Sequence, residues 1–363
     1  MNQPISTRPQ VTWRLRQASA SDREGILALR SVVFQTEDPE KRDPAFWDWE
    51  FLESPSGPAS LYVAEDGERI VGHYAIIPQR FVLSGEACLG SIVVDVMTHP
   101  DYRFQGMFKK LGLYALNSAA GKISFATGYP IRKEVMPGHL SIGWMAHAKL
   151  PVLLRPLHLG ALSQRFSIPG GAAIEALARG VERAWSRRFH RTDSSCVTRL
   201  LDRRDAESMA GLASRAFADI SSYQVRDTGF FDYRYFGNPA WRYRCSGIFR
   251  DGKLVAYVVV RDAELLATSS LAIVDLACEP GEDAALVQLL RLELDAGRDR
   301  RLATAGAMIA RSTRYFRALR RAGLYPGPHQ FTLILFALQP DLAARLTNNS
   351  SSWFLTWGDT DDV

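Results

Sequence analysis

The residues with the clearest chemistry lie at a turn between a predicted strand and a predicted helix. Residues 91–97 have the sequence Ser-Ile-Val-Val-Asp-Val-Met, which is typical of a buried strand, and apolar residues at helical spacing begin at Met107. Such a turn can direct free backbone N–H groups and the positive end of the helix dipole at an anion. Arg103 adds a fixed cation, and Gly106 keeps side-chain atoms away from the backbone. The turn therefore predicts a diphosphate site.

The spacing Arg103-x-x-Gly106 resembles motif A of the GNAT acyltransferases, in which Gln/Arg-x-x-Gly-x-Gly/Ala holds the pyrophosphate of acetyl-CoA. Phe108 stands where Gly or Ala is usual, so we expect a shifted loop or a shifted acyl-CoA pose. An ordinary strand-to-helix turn is the alternative for so short a motif. The resemblance implies that the residues contacting acyl-CoA are Val94, Val96, Met97, Arg103, Phe104, Gln105, Gly106, Met107, Phe108 and Lys109.

Acyl transfer from a thioester to an amine needs a base, a donor for the oxyanion and an acid for the thiolate. Asp95 interrupts an apolar strand, and burial would raise its pKa to a value suited to a base. A structural role is the alternative, because Asp275 has the equivalent place in a second copy of the strand. The resemblance implies an acid at His139, where the family usually has Tyr; packing against Trp144 is the alternative, and Tyr129 is a reserve acid.

Further candidates follow from position. His99 ends the strand near the expected thioester, and Glu134 lies in the segment expected to face the acceptor. The resemblance implies oxyanion stabilisation by a backbone N–H within Val94–Met97. In tandem GNAT enzymes of the enhanced-intracellular-survival type a terminal carboxylate acts on the amine. The corresponding groups here are Asp359, Asp361, Asp362 and the terminal carboxylate of Val363.

Composition sets broad limits on the class of protein. The chain has 363 residues, 47% of them hydrophobic and 23% charged, which predicts a globular protein with two domains. The net charge of +5 suits an anionic cofactor at least as well as nucleic acid, and we expect no nucleic-acid partner. The four cysteines form no Cys-x-x-Cys pair, so we expect no metal site, no disulfide framework and a cytoplasmic location. No apolar run is long enough for a membrane span.

The order of predicted elements also resembles a GNAT domain. A strand over 11–17 precedes a helix that begins at the capping box Ser21-x-x-Glu24, and an aromatic helix spans 46–52. Three strands follow before the turn at Arg103, over 60–64, 70–77 and 80–83. The resemblance implies an α/β (α+β) fold with a mixed, mostly antiparallel twisted sheet flanked by helices. It also implies a pair of splayed strands that admit the pantetheine arm.

The chain contains an internal repeat. Residues 46–55 recur as residues 230–239, with each aromatic replaced by an aromatic or large apolar residue. The repeat continues at Asp66-Gly67 with Asp251-Gly252, and at 94–96 with 274–276. Glu282 and Asp283 stand where the second copy would have a phosphate site, and carboxylates there would repel a diphosphate. The chain is therefore predicted to be a tandem duplication whose second copy has lost this site.

The repeat and the composition predict four segments. These are an N-terminal GNAT domain with the acyl-CoA site (1–150), a linker with a basic helix (151–192), a degenerate GNAT domain (193–340) and a C-terminal tail (341–363). The arginines of the linker helix suit either a solvated surface or a phosphate-binding face. A solvated surface is favoured, because no aromatic residues alternate with the arginines.

The resemblance implies an acyl-CoA-dependent N-acyltransferase with acetyl-CoA as the expected donor. The expected acceptor is an amine of a small molecule, with an amino sugar as one candidate. Trp47 and Trp49 could stack on a sugar, but recurrence of their pattern in the second copy favours a core role. The alternatives are a non-catalytic acyl-CoA-binding or interaction protein and an aminoacyl-tRNA-dependent peptidyltransferase, a class that generally lacks the pyrophosphate loop. The oligomeric state is open and includes a homo-oligomer.

Overall fold

The described residues contain fourteen strands, and all of them belong to one sheet. Their sequences are alternating or continuous apolar runs. The structure is a computed structural model, and it describes residues 12–35, 39–130, 133–158, 196–265, 267–348 and 353–361. We call residues 12–158 the first half of the chain and residues 196–361 the second half. The basic helix predicted for the linker lies outside the described residues.

The first half contains the predicted order of strands and helices. Its helices are α1 (Arg23–Phe34), α2 (Pro44–Leu52), α3 (Met107–Ala119) and α4 (Met136–Ser141). Its strands are β1 (Arg14–Gln17), β2 (Ser60–Asp66), β3 (Arg69–Leu83), β4 (Glu86–Thr98), β5 (Phe125–Gly128) and β6 (Met145–Pro156). Strand β6 continues past the predicted domain boundary at residue 150, so the start of the predicted linker is a strand.

Two local predictions in the first half are wrong. The capping box pairs Ser19 with Asp22, rather than Ser21 with Glu24, because a 3-10 turn precedes α1. The strands predicted over 70–77 and 80–83 are one strand, β3. Residues of β3 before Pro78 pair with β2, and residues after it pair with β8 of the second half. Pro78 lacks a backbone N–H, but it belongs to neither of these two pairings, so it interrupts neither of them.

The second half repeats the same order. Its helices are α5 (Ala206–Ala216), α6 (Thr228–Phe231), α7 (Asp283–Asp299), α8 (Arg314–Arg321) and α9 (Pro340–Asn348), and a π-helical turn, Asp232–Phe236, extends α6. Its strands are β7 (Cys196–Leu201), β8 (Ser222–Gln224), β9 (Arg244–Arg250), β10 (Lys253–Leu265), β11 (Thr268–Cys278), β12 (Thr304–Met308), β13 (Tyr325–Ala337) and β14 (Trp353–Phe354). The predicted tail thus contains α9 and β14.

The two halves exchange their last long strands. The order along the sheet is β1-β2-β3-β4-β5-β13-β6-β12-β11-β10-β9-β7. Strand β13 of the second half pairs with β5, and β6 of the first half pairs with β12. Strands β6 and β13 also pair with each other at the centre. Each half therefore completes its sheet with a strand from the other half.

Helices cover both faces of the first half's sheet, as the alternation along β4 requires. Ile92 and Val94 pack in the core that contains Ile26 of α1 and Phe51 of α2. Val93 packs in a second core with Met107 of α3. Side chains that point to opposite faces alternate along a strand, so β4 separates α3 from α1 and α2. An anion at the start of α3 and a group bound beside α2 would approach β4 from opposite faces.

Candidate active site

The start of α3 has the geometry of an anion site. Gly106 precedes the helix at φ 77°, and no side chain of the described residues caps it there. A Cβ at Gly106 would meet nothing within 4 Å, so the positive φ, rather than crowding, requires glycine. The first N–H groups of a helix have no intrahelical acceptor, and no side chain of the described residues caps those of α3. The exposed side chains of Arg103 and Lys109 add two cations beside these groups.

Phe104 and Phe108 differ in their surroundings. Phe104 has φ 64° and is fully exposed, an uncommon combination for a non-glycine residue. Phe108 is half-buried and packs edge-on against His139 at a centroid distance of 5.0 Å. A Cβ at Gly138 would lie 2.7 Å from the Phe108 ring, so α3 and α4 approach closely at this point. Phe108 therefore has a packing role between the two helices.

Strand β4 bends beside the anion site. Its register against β3 shifts between the pairs His73–Met97 and Ala75–Val94, and Asp95 has φ 47° at this bulge. On its other edge β4 pairs with β5 only at Ser91 and Ile92. The edge of β4 beyond Ile92 has no strand partner among the described residues. The resemblance placed the splayed pair between the strand at 122–128 and the strand that starts near 143, and there β13 pairs with both β5 and β6. Of the implied acyl-CoA contacts on β4, Val94 and Met97 are buried and Val96 is half-buried.

Asp95 is held in a buried ion pair with Arg30 of α1. Burial acts to raise the pKa of Asp95, but the charges of Arg30 and Lys41 outweigh it, so the pKa lies below its usual range. The expectation of a raised pKa is therefore wrong, because the sequence did not show the two cations. Asp275 is likewise buried and pairs with Arg226 at 2.9 Å. The same pairing in both copies supports the structural alternative for Asp95.

His139 is buried and packs edge-on against Phe108 and Trp144, at 5.0 and 5.3 Å between ring centroids. Burial lowers its pKa to about 4, so the imidazole is neutral near pH 7. A neutral imidazole cannot supply the proton of an imidazolium. The geometry thus matches the packing alternative, although the Nδ1 atom has no hydrogen-bond partner among the described residues.

The remaining candidates are dispersed. His99 is buried with its Nε2 atom 2.5 Å from Arg69, and burial together with the charges of Arg69 and Arg103 lowers its pKa. Tyr129 is buried just after β5, and Glu134 is exposed. Among the described residues, no hydrogen bond joins any of these three side chains to Asp95. The catalytic roles of Asp95, His139, His99 and Tyr129 stay predictions.

The tail acids are bound inside the protein. Asp359 is buried, and its carboxylate oxygens lie 2.6 and 2.9 Å from the guanidinium of Arg226. Asp361 pairs with the buried Lys41 of the first half at 2.9 Å. Asp362 and the terminal carboxylate lie outside the described residues. The two described tail acids therefore already have cationic partners.

Sequence patterns did not single out Glu50, a buried acid in the aromatic helix α2. Burial raises its pKa to about 8, which lies near neutrality. The charged groups that act on it electrostatically are Lys41, Asp95, Asp361 and Arg30. One signal could have found it: Glu50 aligns with Arg234 in the repeat, so both copies carry a charged residue between two aromatic residues at this position, as they also do at Asp48 and Asp232.

Glu50 lies at the edge of a cavity between the two halves. The cavity has a volume of about 60 Å³ and opens to solvent. Trp49 and Tyr233, equivalent positions in the repeat, stack beside it at 4.7 Å. Trp47, in contrast, packs in the core. Ile92 of β4 also borders the cavity, so the cavity reaches the strand that bends beside the anion site.

Comparison with known proteins agrees with this geometry. A family model described as an acetyltransferase (GNAT) domain matches residues 14–144. No curated protein matches the chain. The family match supports an acyltransferase that transfers groups other than aminoacyl, and it confirms the family predicted from Arg103 and Gly106.

Solved structures share the fold over most of the chain. A GCN5-related N-acetyltransferase from Anabaena variabilis has TM-score 0.63 and 13% identity, covering 90% of this chain and 73% of that one. Saccharomyces cerevisiae N-myristoyltransferase with bound myristoyl-CoA has TM-score 0.62 and 13% identity, covering 93% and 83%. A probable N-acyltransferase from Enterococcus faecalis has TM-score 0.61 and 13% identity, covering 91% and 73%. These likenesses confirm the α/β fold class.

Two further findings concern the described residues alone. No helix among them is long and apolar enough to cross a membrane. They also contain no group of three or more His, Cys, Asp or Glu side chains arranged to hold a metal ion.

Proposed function

We propose that the chain is an acyl-CoA-dependent N-acyltransferase, with acetyl-CoA as donor and an amine of a small molecule as acceptor. The observation that carries this proposal is the uncapped start of α3 at Gly106, next to Arg103 and beside the free edge of β4. A diphosphate fits this turn, because free N–H groups, the helix dipole and two exposed cations act on the same open space. Acyl-CoA would supply the activated acyl group as a thioester.

In this proposal the donor and the acceptor bind on opposite faces of β4. Arg103, Lys109 and the N–H groups at the start of α3 would bind the diphosphate. The backbone of Val94–Met97, at the bulge, would offer N–H groups to the pantetheine arm and to the oxyanion. The acceptor would approach from the face that carries α2. Entry of the two substrates from opposite faces keeps the amine apart from the CoA phosphates.

The second half supports placing the donor site in the first half alone. The helix start equivalent to α3 is that of α7, where Glu282 is the N-cap and Asp283 is the first helical residue. Glu282 forms an ion pair with Arg250 at 3.0 Å. Two carboxylates there oppose a diphosphate. We therefore expect one acyl-CoA per chain.

Calorimetry of acetyl-CoA binding tests the donor site. Gly106→Glu places a carboxylate at the diphosphate position and a side chain at φ 77°, so we expect affinity to fall at least about tenfold. Gly121→Glu is the matched control, because Gly121 has φ 81° in open space just after the other end of α3. Equal binding by wild type and Gly106→Glu would show that the donor site is assigned wrongly.

Mass spectrometry tests catalysis and the acyl group. Acetyl-CoA and myristoyl-CoA are each incubated with the protein and a panel of amines, and acylated products are sought. A product from acetyl-CoA supports the proposal as stated, and one from myristoyl-CoA alone replaces acetyl by a longer chain. Binding without any product favours the alternative of a non-catalytic acyl-CoA-binding protein.

A further inference from the structure

One ionisable side chain at the cavity between the halves lacks a partner. Glu50 is 4% exposed, and its carboxyl group has no hydrogen bond or ion pair among the residues that the structure describes. The other charged residues of the cavity wall do have partners. Arg80 pairs with Asp227, Arg234 donates to the carbonyl of Thr360, and Asp361 pairs with Lys41. Burying a polar group without a partner costs free energy, so the position suits a ligand that brings one.

One part of the cavity wall is aromatic and apolar, and polar side chains such as Gln79 and Gln224 line the rest. Trp49 and Tyr233 stack at 4.7 Å, and Phe46 packs against Trp241 at 5.1 Å. Phe230 and Ile77 also line this part. Aromatic faces cover apolar ligand surface and attract cations. The cavity therefore combines an aromatic part with a carboxyl group that has no partner, and the amide oxygens of Gln79 and Gln224 also have none among the described residues.

We propose that this cavity binds the acceptor as a primary amine on an apolar body, with the ammonium group against Glu50, and that Glu50 then takes the proton of that ammonium. The inference rests on the proposed N-acyltransferase function and names its acceptor site. In the proton step an N–H bond of the ammonium breaks and an O–H bond forms on the Glu50 carboxylate. The products are a neutral amine with a free electron pair and a protonated Glu50. The neutral amine is the form that can attack a thioester.

The charges around Glu50 suit this exchange. The charged groups that act on it are Arg30 of α1, Lys41, Asp95 of β4 and Asp361 of the C-terminal segment, while Tyr233 and Arg234 of the π-helical turn lie on the same cavity wall. Arg30 and Lys41 carry two positive charges against the two negative charges of Asp95 and Asp361, and Arg234 adds a further cation on the cavity wall. Burial raises the Glu50 pKa to about 8, and the free protein at pH 7 therefore carries this proton. An entering ammonium would displace it.

Calorimetry with defined amines tests the site. Butylamine, benzylamine and glucosamine are titrated at pH 7, together with butanol, benzyl alcohol and glucose, in two buffers of different ionisation enthalpy. We expect the two apolar amines to bind, the alcohols not to bind, and about one proton to be released per amine bound. Tighter binding of glucosamine than of benzylamine would contradict an acceptor with an apolar body. Binding of the alcohols as tightly as the amines would contradict recognition of the ammonium charge.

Two variants separate Glu50 from its surroundings. Glu50→Gln keeps the shape and the neutral state of the side chain, and we expect amine affinity to fall at least about tenfold with loss of proton release. Glu53→Gln changes an exposed acid at the end of the same helix and is expected to behave as wild type. Unchanged affinity and proton release in Glu50→Gln would overturn the proposal.

Acetyl-CoA binding, measured on the same samples, distinguishes this inference from the proposed function. Glu50→Gln should bind acetyl-CoA as wild type does, which also shows that it is folded. A wild-type protein that binds acetyl-CoA but no amine contradicts the acceptor site alone. A protein that binds amines through Glu50 but no acyl-CoA contradicts the proposed function and leaves the amine site standing.

Discussion

The Lys41 ammonium lies 2.9 Å from the Asp361 carboxylate, although the two residues are 320 positions apart in the sequence. The Lys41 side chain is buried, while a quarter of the Asp361 side chain is exposed at the cavity between the halves. Burial acts to lower the pKa of Lys41, but Asp361, Glu50 and Asp95 raise it above its usual value. The pair therefore fixes the C-terminal segment of the second half against the part of the first half that contains Glu50 and Asp95.

Replacing Lys41 should destabilise the protein. Lys41→Met leaves Asp361 without its cation, and we expect the free energy of unfolding to fall by about 3 kcal/mol, the lower end for a buried pair because Asp361 is partly exposed. Urea denaturation measures the change. Lys253→Met is the matched control, since Lys253 pairs with Glu279 at the same 2.9 Å but is largely exposed. Equal losses in the two variants would show that burial of Lys41 does not matter.

Asp95 should contribute to stability through Arg30. Asp95→Asn removes the carboxylate charge that faces this buried guanidinium, and we expect a loss of about 3–5 kcal/mol at pH 7. Because the folded pKa of Asp95 is lowered, its contribution is present above the unfolded pKa and is lost as pH falls through the folded pKa. Urea denaturation from pH 7 to pH 3 should therefore show a smaller difference between variant and wild type at acid pH. A difference that grows towards acid pH would contradict the pairing.

His139 should make the protein sensitive to acid. Its folded pKa of about 4 lies below the unfolded value of about 6.5, so the unfolded chain binds more protons between these values. Stability should fall as pH drops through this window, by up to about 3 kcal/mol. His139→Leu should reduce that loss in urea denaturation at pH 7 and pH 4.5. The exposed His329 supplies a control, and His329→Leu should follow wild type.

The strand exchange should make the halves depend on each other. A fragment of residues 12–158 lacks β13, which pairs with both β5 and β6 in the whole chain. We expect this fragment alone to aggregate or to give the circular dichroism of an unfolded chain. Coexpression with residues 196–361 should restore a soluble complex on gel filtration. A stable, monomeric fragment with native-like circular dichroism would show that the first half folds without the exchange.

Much of the donor site could be predicted because its information is local. A strand, a turn with Arg103 and Gly106, and a helix follow one another within about 30 residues, and the positive φ of Gly106 is a property of that turn. The tandem duplication was visible for the same reason, since each copy repeats its own aromatic helix and turn. The surroundings of Phe108 could not be predicted in this way. Its packing against Gly138 and His139 depends on where α4 lies, which the motif does not encode.

What the sequence determined by itself was the order of elements, the duplication and the turn at Arg103 and Gly106. Only the tertiary structure decided that the halves exchange β6 and β13, that Asp359 and Asp361 are bound to Arg226 and Lys41, and that Glu50 borders the cavity between them. The physical reason is that a pKa and an ion pair depend on which distant groups meet and how much water they lose. Spacing along the chain records neither.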